Sequence, residues 1–484
     1  MSSPAASGSD PRKQLLRVMG FWDVLLFNVA TILGPRWIAA AGHNGASSIS
    51  LWLLAAVFFF IPTGLVVMEL STRYPAEGGL YVWSKEAFGE FHGFVAGWTY
   101  WVYTFFYFPG LLMASASMAA FIGGAGAAPL ANDRTFILMV SFAILLAALL
   151  LNLVGLRVGK WLQNAGGVGT MLPLAMLVLL AGVFWVVRGS ATAFSWRAIL
   201  PRWDFATVNF WPQIFFAFTG LELVSAMSEE VRNPDRTFPR AIVASGAAIA
   251  AIYILGTVAV LVLLPAAKVD VKNGAFQALT YGSSLLGIGF FGIAAALLIL
   301  VGNAGGVGST VAGIARVPFV VGIDRYMPKA FGKIHPRWKT PHVSMLVQAG
   351  ISGAILLAIQ VNETTSSAYQ ILVDAAVILY FIPFLYMYLA VIKLAYRKDR
   401  AAAGAVLIPG GKLGVWISGV LGFAVVLFGI VLSFVPPGET ANKFLFEAKL
   451  AGGTVAIIAL GLILYFRGAR QRAAEEAKPA ATTE

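Results

Sequence analysis

The sequence predicts an all-α polytopic membrane protein with twelve transmembrane helices, and three observations predict it. The 484 residues are 59% hydrophobic and only 12% charged, with a mean hydropathy of +0.81, far from soluble domains. Apolar runs of the roughly 20 residues that a bilayer-crossing helix needs recur at 20–41, 49–71, 92–122, 135–153, 163–187, 208–228, 240–264, 284–315, 342–360, 368–394, 412–435 and 449–466. Finally, 25 of the 34 Lys/Arg lie in the two tails and the loops after even-numbered spans, against 8 in the opposite loops. The positive-inside rule then places both termini in the cytoplasm, with the chain in the cytoplasmic (inner) membrane.

The opening segment MSSPAASGSDPRKQLLR is polar and leads straight into a full-length span, unlike a cleavable signal. The runs at 92–122 and 284–315 exceed one crossing, which predicts tilt or helical extension. No ten-residue alternation of a barrel appears, so the spans are helices that satisfy their own backbone. The tail AAEEAKPAATTE has a disorder-prone composition. The expected organisation is a cytoplasmic tail (1–19), a ten-span core (20–394), two peripheral spans (395–467) and a second tail (468–484). The net charge of +12 follows from the loops and calls for a lipid bilayer, not nucleic acid, as partner. With no cysteine and four scattered histidines, neither a disulfide scaffold nor a metal or cofactor site is expected.

Two spans contain helix breakers. In ILGPRWIAAAG (32–42), Pro35 removes a backbone donor and Gly34 loosens the chain beside it. In FFAFTGLELVSAMSEE (215–230), Thr219-Gly220 interrupts an aromatic run. Gly34 and Gly220 fall at comparable places in the first spans of two five-span blocks, and an odd number of spans makes the second block inverted. Matched breaks in inverted halves point to a midplane substrate site formed by broken helices 1 and 6.

A charge at the centre of a membrane helix costs about 2.5 kcal/mol or more, and is functional by default. Arg36, Glu222 and Asp374 are such charges. In one reading Arg36 neutralises one acid while the other holds a proton or a substrate ammonium. In the other, a permanent ion pair clamps span 1 to span 6 or 10. Asp374, near the outer end of its span, also fits a solvated helix end. Tyr100, Tyr103 and Tyr107 share one face of span 3, either as packing or as a cage whose cation–π attraction for an ammonium is roughly 0.5–2 kcal/mol. A short echo, NAGGVGT at 164–170 and NAGGVGST at 303–310, fits close helix packing.

The stretch FFAFTGLELVSAMSEEVRNPDRTFPRAI (215–242) resembles the sixth span and following loop of the amino acid–polyamine–organocation (APC) superfamily. MELSTRYPAEGGLYVWSKEAFGEFHGFVAGWTYW (68–101) and RVPFVVGIDRYMPKAFGKIHPRWKTP (316–341) are similar to its second loop with third span and to its loop after span 8. The resemblance implies a five-plus-five inverted repeat, two peripheral spans and a substrate held at the breaks. On it, Ile32, Gly34, Arg36, Tyr100, Phe216, Phe218, Thr219 and Gly220 are the substrate-binding candidates. Glu222 matches an acid linked to proton sensing in the family's arginine–agmatine exchanger. Thr170, Ser309 and Thr310 lie where related transporters hold sodium with hydroxyls.

The departures are specific. Where many members have Gly-small-Gly with free amides, this chain has Gly34-Pro35-Arg36; Pro35 offers no amide, whereas a guanidinium presents a bidentate fork to a carboxylate. Thr170 stands where some proton-coupled members carry a lysine. With Arg36 supplying positive charge, a coupling proton is favoured over sodium. The expected function is secondary transport by alternating access, with neutral or acidic amino acids ahead of polyamines. IPTGLVVMELST (61–72) and the Gly-Pro break keep glutamate–GABA exchange and polyamine uptake as alternatives. A nutrient-sensing receptor or a channel on the same fold remains open, and no nucleophile–base pair suggests an enzyme.

Overall fold

The apolar runs are helical because a backbone in hydrocarbon has no other partner for its N–H and C=O groups. A computed structural model describes residues 15–123, 125–362, 365–398, 404–436 and 442–476; residues 1–14 and 477–484 of the two expected tails lie outside them. In chain order the helices are α1 (Phe21–Ile32), α2 (Pro35–His43), α3 (Ser47–Ala55), α4 (Ile61–Arg73), α5 (Leu80–Phe88), α6 (Glu90–Val102), α7 (Thr104–Ala119), α8 (Arg134–Leu153), α9 (Leu156–Arg188) and α10 (Trp196–Ile199). They continue as α11 (Phe205–Ala217), α12 (Pro234–Leu263), α13 (Gly274–Leu285), α14 (Phe290–Ile314), α15 (Arg316–Ile323), α16 (His342–Asn362), α17 (Thr365–Leu394), α18 (Gly411–Ser433) and α19 (Lys443–Glu476). Among the described residues no strand forms; one isolated parallel bridge joins Met19 to Val231.

Eleven of the twelve expected spans are helical stretches long and apolar enough to cross a bilayer. The other, 208–228, is divided: α11 ends at Ala217 and a 3-10 turn resumes at Leu223–Glu230, so neither piece spans alone. Span 1 is divided as well, but its two pieces follow closely enough to count as one stretch, Phe21–His43. Both interruptions fall within three residues of the predicted positions.

Lys160 and Asn164 of α9 hold Asp23 of α1 at 3.1 and 2.8 Å, and α1 also packs on α12 and α14. α9 and α14 run against each other through the repeated glycine motif. A Cβ on Gly166 would lie 2.5 Å from the Gly305 Cα, and one on Gly305 would lie 2.4 Å from the Gly166 Cα. The echo between spans 5 and 8 is therefore a backbone-to-backbone contact. On the outside, Leu179, Val186, Val187, Phe444 and Val455 are exposed, as side chains facing hydrocarbon must be. α18 and α19 pack against α17 at the periphery.

Candidate functional site

Breaking a helix in a dry interior leaves backbone groups that need partners. In span 1, Leu33 and Gly34 are extended, at φ −72° and −120°, and Pro35 restarts the helix at its first position, where a missing N–H costs nothing. In span 6, Gly220 has φ +123°, and a Cβ there would meet the Ile32 Cγ1 at 2.8 Å. The two breaks therefore touch, and only glycine fits the contact.

Tyr253 of α12 fastens both. The Gly34 amide donates to its hydroxyl at 3.1 Å, and the hydroxyl lies 2.5 Å from the Ile32 carbonyl and 3.1 Å from the Ala217 carbonyl. Trp52 stacks on the ring at 4.5 Å and 6°, while its indole N–H donates to Thr257 at 3.0 Å. One fixed phenol thus satisfies backbone from both broken helices. Tyr253→Phe should destabilise the protein by about 1–3 kcal/mol, since it strands buried polar groups. Thermal unfolding of purified protein measures this, and an unchanged midpoint would refute the role.

Glu222 closes one end of the site. The Tyr100 hydroxyl donates to its Oε1 at 2.8 Å, the Tyr380 hydroxyl donates to the same oxygen, and the Gly220 amide donates to Oε2 at 3.0 Å. Tyr100, Tyr103 and Tyr380 pack ring on ring at 4.3–6.0 Å. The tyrosine face of span 3 is therefore a wall that holds a carboxyl.

Arg36 lies on the other side of Phe216. It is buried, with its guanidinium 4.5 Å from the Trp37 ring centre and 5.3 Å from that of Tyr107. A cavity of about 20 Å³ is lined by Thr31, Ile32, Trp37, Phe216, Thr219 and Thr310, with tyrosines 103, 107 and 380. A second, of about 10 Å³, lies beside Arg36, Trp37, Tyr107 and Phe216. Each has room for about one water, so the side chains have closed on the site. A larger cavity of about 480 Å³, beside Asn132, Asp270 and Lys272, contains none of the candidates.

The structure thus brings Ile32, Gly34, Arg36, Tyr100, Phe216, Thr219, Gly220 and Glu222 together and corrects other expectations. Among the described residues no ion pair joins Arg36 to Glu222 or Asp374, because tyrosines and a backbone amide hold Glu222. Phe218 faces away from the cavity and packs on Phe60 at 4.5 Å, with Trp52 and Tyr253. Asp374 is buried, not a solvated helix end. Thr170 donates to the Gly166 carbonyl at 3.0 Å and faces α14. Of the three hydroxyl candidates only Thr310 lines the cavity, and it donates within its own helix to Gly306 at 2.9 Å. Ser309 is buried, and its hydroxyl has no hydrogen-bond partner among the described residues.

Trp37, Tyr253 and Tyr380 were not among the sequence candidates. Trp37 follows Arg36 directly and Tyr253 is the lone tyrosine of an Ala/Gly-rich span, signals that could have found them. Tyr380 is one of several aromatics in span 10 and carried none.

The amino acid permease family matches residues 19–458. The chain belongs to this family, within the APC superfamily. An uncharacterized transporter of Legionella pneumophila is 27% identical, covering 95% of this chain and 99% of that protein. The serine/threonine exchanger of Bacillus subtilis is 25% identical over 71% of this chain and 77% of its own. A probable agmatine/putrescine antiporter of Lactococcus lactis is 25% identical, over 64% and 66%. The crystal structure of MhsT in complex with L-phenylalanine matches with a TM-score of 0.64 at 15% identity, covering 85% of this chain and 98% of that one; this similarity shows the fold. The permease is thus a multi-pass membrane protein whose family and relatives are transporters of small molecules, not enzymes.

Proposed function

We propose that the permease moves neutral or acidic amino acids across the cytoplasmic membrane by alternating access, with residues 20–394 as the moving core and 395–467 as peripheral spans. The observation that carries this reading is the convergence of the two helix breaks on an aromatic-walled site with a buried guanidinium, Arg36, at one end. A substrate carboxylate at Arg36 would gain a charge-assisted pair in place of the amide that Pro35 lacks. Its side chain would lie among Trp37, Tyr107 and Phe216, and its ammonium would find the faces of the tyrosine wall. Ile32, Gly34, Thr219 and Gly220 form the floor, and Glu222 with Tyr100 and Tyr380 the gate beneath it.

A proton is the coupling ion favoured here over sodium. The Ile32 and Ala217 carbonyls, the kind of oxygen pair that could hold a cation, are already occupied by the Tyr253 hydroxyl. The excess of Lys/Arg in the tails and in the loops after even-numbered spans supports a cytoplasmic location for both termini.

Solute counterflow in proteoliposomes, with proton and sodium gradients varied separately, tests the proposal. Saturable exchange of neutral or acidic amino acids is expected. Accumulation of putrescine or agmatine alone would overturn the substrate class and align the protein with its antiporter relative. Ion leak without exchange would overturn transport.

A further inference from the structure

Away from the substrate site, on the side of the N-terminal segment, three charged residues are buried together. Arg316, at the start of α15, donates from Nε and Nη2 to the two carboxylate oxygens of Glu230 at 2.8 and 3.1 Å. It also donates to the Ala312 carbonyl. Its Nε lies 3.7 Å from Oε1 of Glu77, and all three side chains are at most 3% exposed. Glu77 is in the YPAEGG loop between α4 and α5, where its Oε2 accepts from the Glu229 amide at 3.2 Å. Its Oε1 is buried with no hydrogen-bond partner among the described residues.

Glu77 is the uncompensated group. Of the charged groups around it, Arg316, Glu230 and Glu229 act on it most strongly. Two buried carboxylates meet one guanidinium, while Arg157, Arg337 and Lys339 line a cavity of about 190 Å³ beside Glu230 whose lining does not include Glu77, so the several kcal/mol of desolvation that a buried ion costs falls on Glu77. Arg316 is already engaged in a fork with Glu230, so the uncompensated oxygen belongs to Glu77. Burial first, and the negative charge of Glu230 next, hold the Glu77 carboxyl well above the ordinary carboxylate range, against the opposing pull of Arg316.

The site is also where this side of the molecule is tied shut. The Glu230 carbonyl accepts from the Val18 and Met19 amides at 2.9 and 3.1 Å, Arg232 donates back to Met19 at 2.9 Å, and Gly78 donates to the Ala226 carbonyl at 3.1 Å. The segment before span 1, the loop after span 2, the turn after the span 6 break and the end of span 8 all meet around Arg316. Separating them would admit water to Glu77.

We propose that Glu77, beside the Arg316–Glu230 pair, is a binding site for the coupling proton, released when the N-terminal side opens. On release the carboxyl O–H bond breaks, the proton passes to water, and the carboxylate left behind is hydrated. Protonation therefore favours the closed side at low pH, and this preference is lost as pH rises through the closed-state value. The inference rests on the transport reading above, and it assigns a proton to a residue remote from Glu222.

Infrared pH titration of the full-length protein in proteoliposomes tests it without any substrate. The wild type should show a protonated-carboxyl band at neutral pH that is absent from both Glu77→Gln and Glu230→Gln, since either change leaves one carboxylate paired with Arg316. If one variant fails to fold, the other still reads the Glu77 proton. In transport, one pH unit across the membrane drives about tenfold accumulation per coupled proton. Glu77→Gln should reduce this to about one while retaining counterflow exchange. Because Glu222 and Asp374 are buried carboxyls common to all three proteins, the band is read from difference spectra; no carboxyl band in the wild-type-minus-variant difference for either variant, or undiminished proton-driven accumulation in Glu77→Gln, overturns the assignment. A wild type without amino acid counterflow overturns the transport reading instead, and leaves the infrared result to decide the proton site.

Discussion

Arg36→Gln is expected to weaken the apparent affinity for an amino acid at least about tenfold, because a hydrogen bond to a charged group contributes roughly 1.5–3 kcal/mol. Glutamine keeps donors near the site but removes the charge and the flat guanidinium face that now lies between Trp37 and Tyr107. Folding should survive, for neither Glu222 nor Asp374 depends on Arg36 for an ion pair: Glu222 keeps its tyrosine hydroxyls and the Gly220 amide. Arg36→Lys should fall between, retaining the charge but losing the fork and the stacking. Counterflow KM and the thermal midpoint of each variant separate recognition from support. Normal affinity with a lowered midpoint would make Arg36 a structural residue, and normal values of both would remove it from the site.

Much of the fold was readable because hydrocarbon imposes one rule on every span. The positions of the breaks were readable for a related reason: Pro35 and Gly220 are local, and each acts on the chain within a residue or two. Span ends were less so. α9 begins at Leu156 and α19 runs to Glu476, beyond the apolar stretches at 163 and 466, since a helix continues into water after its lipid-facing part has ended. What the sequence hid are contacts between distant segments. Tyr253 bonds Gly34 across 219 positions and Tyr380 bonds Glu222 across 158, and no periodicity within either span reports its partner. Phe218 shows a finer limit. It lies two residues from Phe216, but α11 ends at Ala217, so the regular helical phase that would assign its direction no longer applies.

The glycine echo allows a prediction whose sign runs against helix propensity. In an isolated helix, replacing glycine with alanine stabilises by about 0.5–1 kcal/mol. At Gly166 the added Cβ would lie 2.5 Å from the Gly305 Cα, and the obstacle is backbone, which cannot rotate away as a side chain would. The two helices must separate, losing contacts along their whole shared face, and Gly166→Ala should destabilise by about 1–3 kcal/mol, as overpacked cores do. Gly166→Leu should leave little folded protein. Gly182 provides the control within the same helix, because a Cβ there meets nothing within 4 Å. Gly182→Ala should be neutral or slightly stabilising. Thermal unfolding of the three variants in one detergent measures the contrast. Equal midpoints for Gly166→Ala and Gly182→Ala would mean that α9 and α14 do not approach this closely in the membrane, and that the shared motif has another purpose.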